Sequence, residues 1–335
     1  MEISAATAPA DDHVAPDEER ALDRFRRLPA IIVIDVTNSC NLRCPVCPVT
    51  IAMTRKRGTM NMPVFRRIID DFVGRPEKPE IFFNFSGEPT LNRLLPEFIA
   101  HAWRHGHKTF VSTNATRLTD PLARAMITAG LDRIYLCMDG FDAQAQESYR
   151  VNSNFTEVKA NIETFVRVRR ELGAANPVCI LQTLLTRYSE TQIADIEAWA
   201  RTIGLDRIRF KSFSTGTYTS EDEKALARRF LPENPAYRRV DDSAPPRVCQ
   251  EPVHSTVVFW NGDLGLCCID YDRNVAMPNI MADGFIKAYQ SDPATRARRA
   301  GYLKQHAICQ GCAYNAAANM GFKVDLRRGG TGPVD

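Results

Sequence analysis

The stretch AIIVIDVTNSCNLRCPVCP, residues 30–48, decides how the rest of the chain is read. Its first seven residues form an almost continuous apolar, β-branched run, the pattern of a strand covered on both faces. Directly after it come Cys40, Cys44 and Cys47, in a Cys-x3-Cys-x2-Cys array. A buried strand that runs straight into a chemically equipped loop opens an α/β unit, whose active edge lies at the C-terminal ends of its strands. Three thiolates at this spacing can hold three irons of a [4Fe–4S] cube and leave the fourth iron open to a substrate or cofactor. A zinc site would want a fourth close ligand, and no nearby His or Cys supplies one.

Further along, the same rhythm repeats. Strands are expected at 30–36, 80–85, 108–113, 133–139, 178–185 and 207–212, with helices near 62–73, 91–105, 119–129, 155–172 and 189–203. Val158, Ile162, Phe165 and Val166 share one face at helical spacing. Thr119-Asp120-Pro121 reads as a helix start, and Gly130 and Gly204 as stops. Six strands with intervening helices imply parallel pairing through right-handed crossovers, in an open doubly wound sheet or an incomplete barrel. The expected domains are a mobile arm at 1–28 ending in a short helix at 17–27, an α/β unit at 29–213, a linker with a short helix near 220–231 at 214–248, a cysteine-rich α+β domain at 249–325 and a fraying tail at 326–335.

Composition excludes several classes. The chain has 335 residues, 44% hydrophobic and 25% charged, with a net charge of +3. These are globular values, with no basic face for nucleic acid. No apolar run is long enough to span a membrane, and the acidic start lacks a secretory h-region, so a cytoplasmic protein is expected. Ten cysteines in such a chain point to metal or cluster ligation rather than disulfides.

The cysteine spacing and its place after the first strand resemble the radical S-adenosylmethionine (SAM) superfamily over roughly residues 30–215. That likeness implies a partial (β/α)6 barrel. It also implies a [4Fe–4S] cluster at Cys40, Cys44 and Cys47 that chelates SAM and yields a 5′-deoxyadenosyl radical. FSGEP at 85–89 resembles the family's Gly-Gly-Glu-Pro motif, with Ser86 in place of the first glycine; the likeness counts Ser86, Gly87 and Glu88 among the SAM-binding residues, Gly87 and Glu88 at the amino group. Ser112, Asn114, Asp139, Arg150 and Gln182 match positions that approach the SAM ribose or carboxylate. The residue before the third cysteine, often aromatic in this family, is Val46 here.

A second set comprises Cys249, Cys267, Cys268, Cys309 and Cys312. Asn261-Gly262 between two short apolar runs signals a hairpin that ends at Cys267, and a helix is expected near 292–304. Cys309 and Cys312 form a Cys-x2-Cys pair. Four thiolates complete an auxiliary [4Fe–4S] cluster, or alternatively a structural zinc site. The order Cys249, Cys267, Cys309, Cys312 resembles the Twitch domain, a shortened SPASM module. Cys268 is then surplus. Strand alternation would point it away from the cluster as a hydrogen-atom donor; the alternatives are that it is the ligand in place of Cys267, or a small packing residue. Cys137 and Cys179, inside strands, read as packing residues.

A surplus thiol favours epimerisation of a small-molecule, carbohydrate-like substrate, as in antibiotic-pathway relatives. The alternatives are dehydrogenation to a ketone, or ribosomal-peptide modification, for which the N-terminal segment looks too short. Flavodoxin or ferredoxin is the expected reductant, with neither nucleic acid nor membrane as partner.

Overall fold

The computed structural model describes residues 22–213, 220–238, 247–310, 312, 321–327 and 330–333. All six expected strands are present: β1 (Ile31–Ile34), β2 (Glu80–Phe83), β3 (Thr109–Thr113), β4 (Arg133–Cys137), β5 (Val178–Leu184) and β6 (Arg207–Lys211). They pair in parallel in chain order. One face of each packs beneath the crossover helices: Ile32, Ile34, Ile81, Phe83, Val111, Ile134, Leu136, Cys179, Leu181, Ile208 and Phe210 are buried in a single core.

The helices fall where amphipathic spacing places them, at Met62–Ile69, Leu95–Arg104, Asp120–Thr128, Phe155–Glu171 and Ile193–Ile203. Their ends have local causes. Asn61 and Asn154 accept hydrogen bonds from Val64 N–H and Glu157 N–H at two N-termini, and Gly204 closes the last helix at φ 88°. Helix Ala143–Tyr149, capped by Asp142, was not anticipated. It buries only Ala145, Gln146 and Tyr149, too little apolar surface to show a stripe.

The strands beyond residue 249 add to the edges of the same sheet. β7 (Ser255–Val258) pairs in parallel with β1, and β8 (Leu264–Gly265) folds back on β7. At the other edge, β9 (Gly321–Asp325) runs antiparallel to β6, and β10 (Gly330–Pro333) runs antiparallel to β9. One ten-stranded sheet results, ordered β10-β9-β6-β5-β4-β3-β2-β1-β7-β8. The tail expected to fray at 326–335 therefore carries an outer strand. The arm assigned to 1–28 is packed from Leu22 onward. Leu22 and Phe25 are buried, the Phe25 ring lies 5.6 Å from Tyr302, and Arg298 Nε donates to the Phe25 carbonyl at 3.1 Å. The short helix expected at 17–27 is present over its described part, residues 22–26. The linker helix is Glu221–Arg228, with a Ser220–Glu223 capping box, and the helix expected near 292–304 is Asp292–Tyr302. Residues before 22, and linker residues 214–219 and 239–246, lie outside the described residues.

Gly321 makes the β9 edge possible. Its φ is 104°, and a Cβ there would stand 2.0 Å from the Phe210 carbonyl oxygen. Gly321→Ala should loosen β9 and β10 from β6, at a cost of about 1–3 kcal/mol. Faster limited proteolysis near the C-terminus and a lower melting temperature are expected; unchanged values would mean that β9 does not seat against β6 this way.

Candidate active site and auxiliary thiol cavity

The first thiol loop leaves β1 and ends where Cys47 N-caps a short helix, Pro48–Ile51. Arg43 donates to the carbonyls of Cys40 (2.8 Å) and Leu42 (2.9 Å), and its own N–H reaches the Val151 carbonyl. Leu42, Cys44 and Val46 pack with Tyr149, Phe213 and Phe230 into an apolar wall. Val46 is thus a packing residue whose aromatic neighbours come from elsewhere in the chain. Burial raises the Cys40 and Cys44 thiols, Cys44 to about 11, and the nearby Cys47 adds to both. Such thiols bind as thiolates only when a metal compensates their charge.

Spacing distinguishes the metals. Tetrahedral zinc at about 2.3 Å from each sulfur needs thiolates roughly 3.8 Å apart. Among the described residues no three thiols approach within 4.8 Å of one another, in this loop or in the second set. That is not the close spacing a preformed tetrahedral zinc site requires.

The 85–89 loop packs directly on the thiol loop. Gly87 has φ 93°, and a Cβ there would meet the carbonyl oxygens of Thr37 (2.4 Å) and Ser39 (2.6 Å). Glu88 is buried. Its Oε1 accepts from Thr113 Oγ1 (2.6 Å), Thr90 Oγ1 (2.7 Å) and Thr90 N–H (3.1 Å), while among the described residues Oε2 accepts only Asn114 N–H (2.8 Å). Burial pushes the Glu88 carboxyl up, and these hydrogen bonds pull it back. Oε2 keeps acceptor capacity for an ammonium group. Ser86 faces elsewhere: its hydroxyl donates to Asp35 (2.8 Å) and accepts from Arg55 (3.0 Å).

The other expected SAM contacts gather on the same concave face. The Asn114 amide donates to Asn41 Oδ1 (3.1 Å) and lies 3.9 Å from Cys40 Sγ. Ser112 Oγ and Gln182 Nε2 each sit 3.5 Å from Cys137 Sγ, so Cys137 fills the space between two polar side chains rather than the apolar core. Cys179 faces the opposite way, into that core, where burial raises it to about 12. Arg150 Nε donates to Asp139 Oδ2 at 2.5 Å, and Asp139 Oδ1 accepts Leu184 N–H. Cys44 and Cys137 both lie within the field of Arg150.

One group escaped the sequence reading. Arg55 Nη2 donates to the fully buried Asp35 (2.8 Å), its Nε donates to the Tyr271 carbonyl (2.6 Å), and its guanidinium lies 4.2 Å from the Phe259 ring centroid. Asp272 accepts the N–H groups of Thr54 and Arg55. Asp35 stood inside an apolar run and Arg55 in a basic loop, so only the pairing revealed them.

The second thiol set converges on one cavity, lined by Cys249, Cys267, Cys268, Cys309 and Cys312 with apolar Pro252, Leu266 and Ile269. Cys267 and Cys268 lie in a turn beyond β8, not on it, so strand alternation does not separate them. Their surroundings do differ. Cys267 feels Cys249 and Cys268, and Cys309 feels Cys249 and Cys312. Cys268 also acts on Lys211, at the end of β6.

Asp35→Asn would leave the Arg55 charge buried without its partner, a loss of about 3–5 kcal/mol. Its melting temperature should fall well below that of Asp120→Asn, which removes a carboxylate from an exposed ion-pair network. Equal melting of the two variants would contradict the assignment.

Comparison with known proteins follows this geometry. Residues 34–225 match the model of the radical SAM superfamily, and 249–313 match the iron–sulfur cluster-binding SPASM domain. A tungsten-containing aldehyde ferredoxin oxidoreductase cofactor-modifying protein of Pyrococcus furiosus is 27% identical over 52% of this chain and 49% of its own length. A 7,8-dihydro-6-hydroxymethylpterin dimethyltransferase of Methanocaldococcus jannaschii is 30% identical over 58% of this chain and 38% of its own. The chain thus spans about half or less of these relatives. Among solved structures, Streptococcus suis SuiB bound to its precursor peptide SuiA superposes with a TM-score of 0.60 at 16% identity, covering 87% of this chain and 74% of SuiB. BtrN in complex with AdoMet and 2-DOIA gives 0.53 at 14%, covering 85% and 93%. These two likenesses establish the fold. No helix among the described residues is long and apolar enough to cross a membrane. With more than half its length matched, the chain belongs to the radical SAM superfamily, which uses SAM and a [4Fe–4S] cluster, and it carries an iron–sulfur SPASM domain as well.

Proposed function

We propose that this enzyme removes a hydrogen atom from a small polar substrate of carbohydrate type, and that Cys268 returns one to the opposite face, inverting that carbon. The observation that carries this reading is the double position of Cys268: it lines the auxiliary thiol cavity and also lies within electrostatic reach of Lys211 on the concave face. In this reading Cys40, Cys44 and Cys47 hold the first cluster, and Cys249, Cys267, Cys309 and Cys312 the auxiliary one. When bound there, that cluster and SAM would supply a 5′-deoxyadenosyl radical as the hydrogen-atom abstractor.

The protein's own groups do the positioning. Glu88 Oε2 takes the SAM ammonium, while Gly87 keeps its backbone flush against the thiol loop. Arg150, oriented by Asp139, faces the SAM carboxylate; Ser112, Asn114 and Gln182 offer hydrogen bonds to the ribose side. Ser86 serves instead to hold Arg55 and Asp35. The substrate carbon, left with one unpaired electron, takes the hydrogen atom of the Cys268 S–H. The sulfur radical then regains a thiol by accepting one electron and one proton, with a flavodoxin- or ferredoxin-type reductant as electron source. The shared cavity of all five thiols favours a second reading: if Cys268 is a ligand, the cluster those thiols would hold could serve as a one-electron acceptor, and with loss of a proton to a base the product would be a ketone.

Product formed in deuterium oxide should carry one deuterium at the inverted carbon. Cys268→Ala should retain about eight irons per chain, cleave SAM and form no epimer. Epimerisation at the wild-type rate in that variant would remove Cys268 from the chemistry, and loss of about four irons would make it a ligand.

Glu88→Gln removes the charge and turns an amide N–H toward Asn114 N–H if its oxygen keeps the three donors of Oε1. SAM affinity should fall about tenfold or more, with both clusters retained. Equilibrium binding that matches wild type would place SAM's amino group elsewhere.

A further inference from the structure

We infer that Asp70, His101 and His105 form a metal site, separate from both thiol sets, that takes one divalent transition-metal ion of the zinc type. The chain has six histidines, and three of them, His101, His105 and His107, fall within seven residues. His101 lies on helix Leu95–Arg104 and His105 caps its C-terminus, so the two are one helical turn apart on one face. Asp70 caps the C-terminus of the neighbouring helix, Met62–Ile69. One nitrogen of each of these two imidazoles and one Asp70 oxygen all lie within 4.8 Å of one another.

The donor atoms are already oriented. The His101 ring packs edge-on against Phe65, with centroids 6.1 Å apart, and its Nε2 donates to Asp70 Oδ1 at 2.7 Å. The His105 ring lies 4.5 Å from that of His101, and its Nδ1 donates to the His101 carbonyl at 2.8 Å. A carbonyl can only accept, so the proton of neutral His105 is on Nδ1 and the lone pair on Nε2. Metal-bound histidines are held in this way, through a hydrogen bond from the other ring nitrogen. Tetrahedral zinc, with bonds of about 2.0–2.1 Å to nitrogen and oxygen, needs donor atoms about 3.3 Å apart. The ion would take the place of the proton between His101 Nε2 and Asp70, releasing it. The Asp70 side chain is 52% exposed, which gives it room to turn and leaves a fourth position open to water. His107 does not join the set: it is buried, and its Nδ1 donates to the Pro79 carbonyl.

Electrostatics favour a cation here. Two helices end at this place, and a helix C-terminus carries partial negative charge. The Asp70 carboxylate adds to that charge, and a divalent ion would compensate all three. Two imidazoles with one carboxylate select transition metals over calcium or magnesium. The C-terminal ends of crossover helices lie at the edge of the sheet opposite the one that carries the thiol loops. A metal here would therefore fasten one crossover helix to the next and take no part in the radical chemistry.

The test uses the full chain with both clusters reconstituted, then washed with a chelator to remove mononuclear metal. Zinc is added by equilibrium dialysis and counted beside iron. Wild type should bind about one zinc per chain, with nitrogen and oxygen neighbours at about 2.0–2.1 Å in the zinc X-ray absorption spectrum and no sulfur at about 2.3 Å. Asp70→Asn and His105→Ala change an exposed and a half-buried residue, so iron content should not fall. Each should weaken zinc binding about tenfold or more. Asp120→Asn removes a carboxylate from the exposed ion-pair network elsewhere and should bind zinc as wild type does. Should His105→Ala lose iron, His105→Gln replaces it and must show the same loss of zinc. No zinc bound by wild type, sulfur among the neighbours of the zinc, or wild-type zinc affinity in the Asp70 and His105 variants overturns the inference.

Discussion

The buried pair of Asp35 and Arg55 is the contact on which the arrangement depends. Asp35 sits at the end of β1 with no exposure, a place where a lone carboxylate would be neutral or destabilising. Arg55 makes it tolerable, and also donates to Ser86 and to the Tyr271 carbonyl. One guanidinium therefore links the strand that launches the thiol loop, the loop that presents Glu88, and the segment that follows Cys267 and Cys268. Its planar fork reaches three directions at once, which a lysine ammonium on its flexible stem would not reproduce.

Much of this was legible in the residues. The six apolar runs became six parallel strands, and the loop after the first of them carries its thiols at the active edge. What escaped detection depends on pairing between distant segments. Hydrophobic spacing announces that a strand exists, but not that Ser255–Val258 lies beside Ile31–Ile34. RIRFKS reads as a strand. That its three cations share one face with Gln182 emerges only once β6 and β9 are in register. Cys267 and Cys268 show the converse, since alternation was applied to residues that lie past the end of the strand.

The concave face also explains why the strand readings were incomplete. Strands covered on both faces were expected to be nearly continuous apolar runs, yet β2, β4 and β6 open on Glu80, Arg133 and Arg207. Toward the C-terminal ends, alternate positions turn polar: Asp35, Ser112, Gln182, Arg209 and Lys211 all point away from the helices. Their neighbours Ile34, Val111, Leu181, Ile208 and Phe210 keep the opposite face dry. Stability and chemistry are thereby divided between two sides of the same strands.

The order in which the sheet is completed bears on how the protein is made. β1 emerges early from the ribosome, yet its outer neighbour, β7, is more than two hundred residues away in the chain. β6 likewise waits for β9, separated from it by the whole thiol-bearing region. Until synthesis is nearly finished, both flanks of the six-stranded core present unpaired backbone, the kind of surface that recruits other chains. Long-range closure of this type is slow. A nascent chain of this protein would gain from a chaperone, or from early cluster loading at the first thiol loop, during that interval.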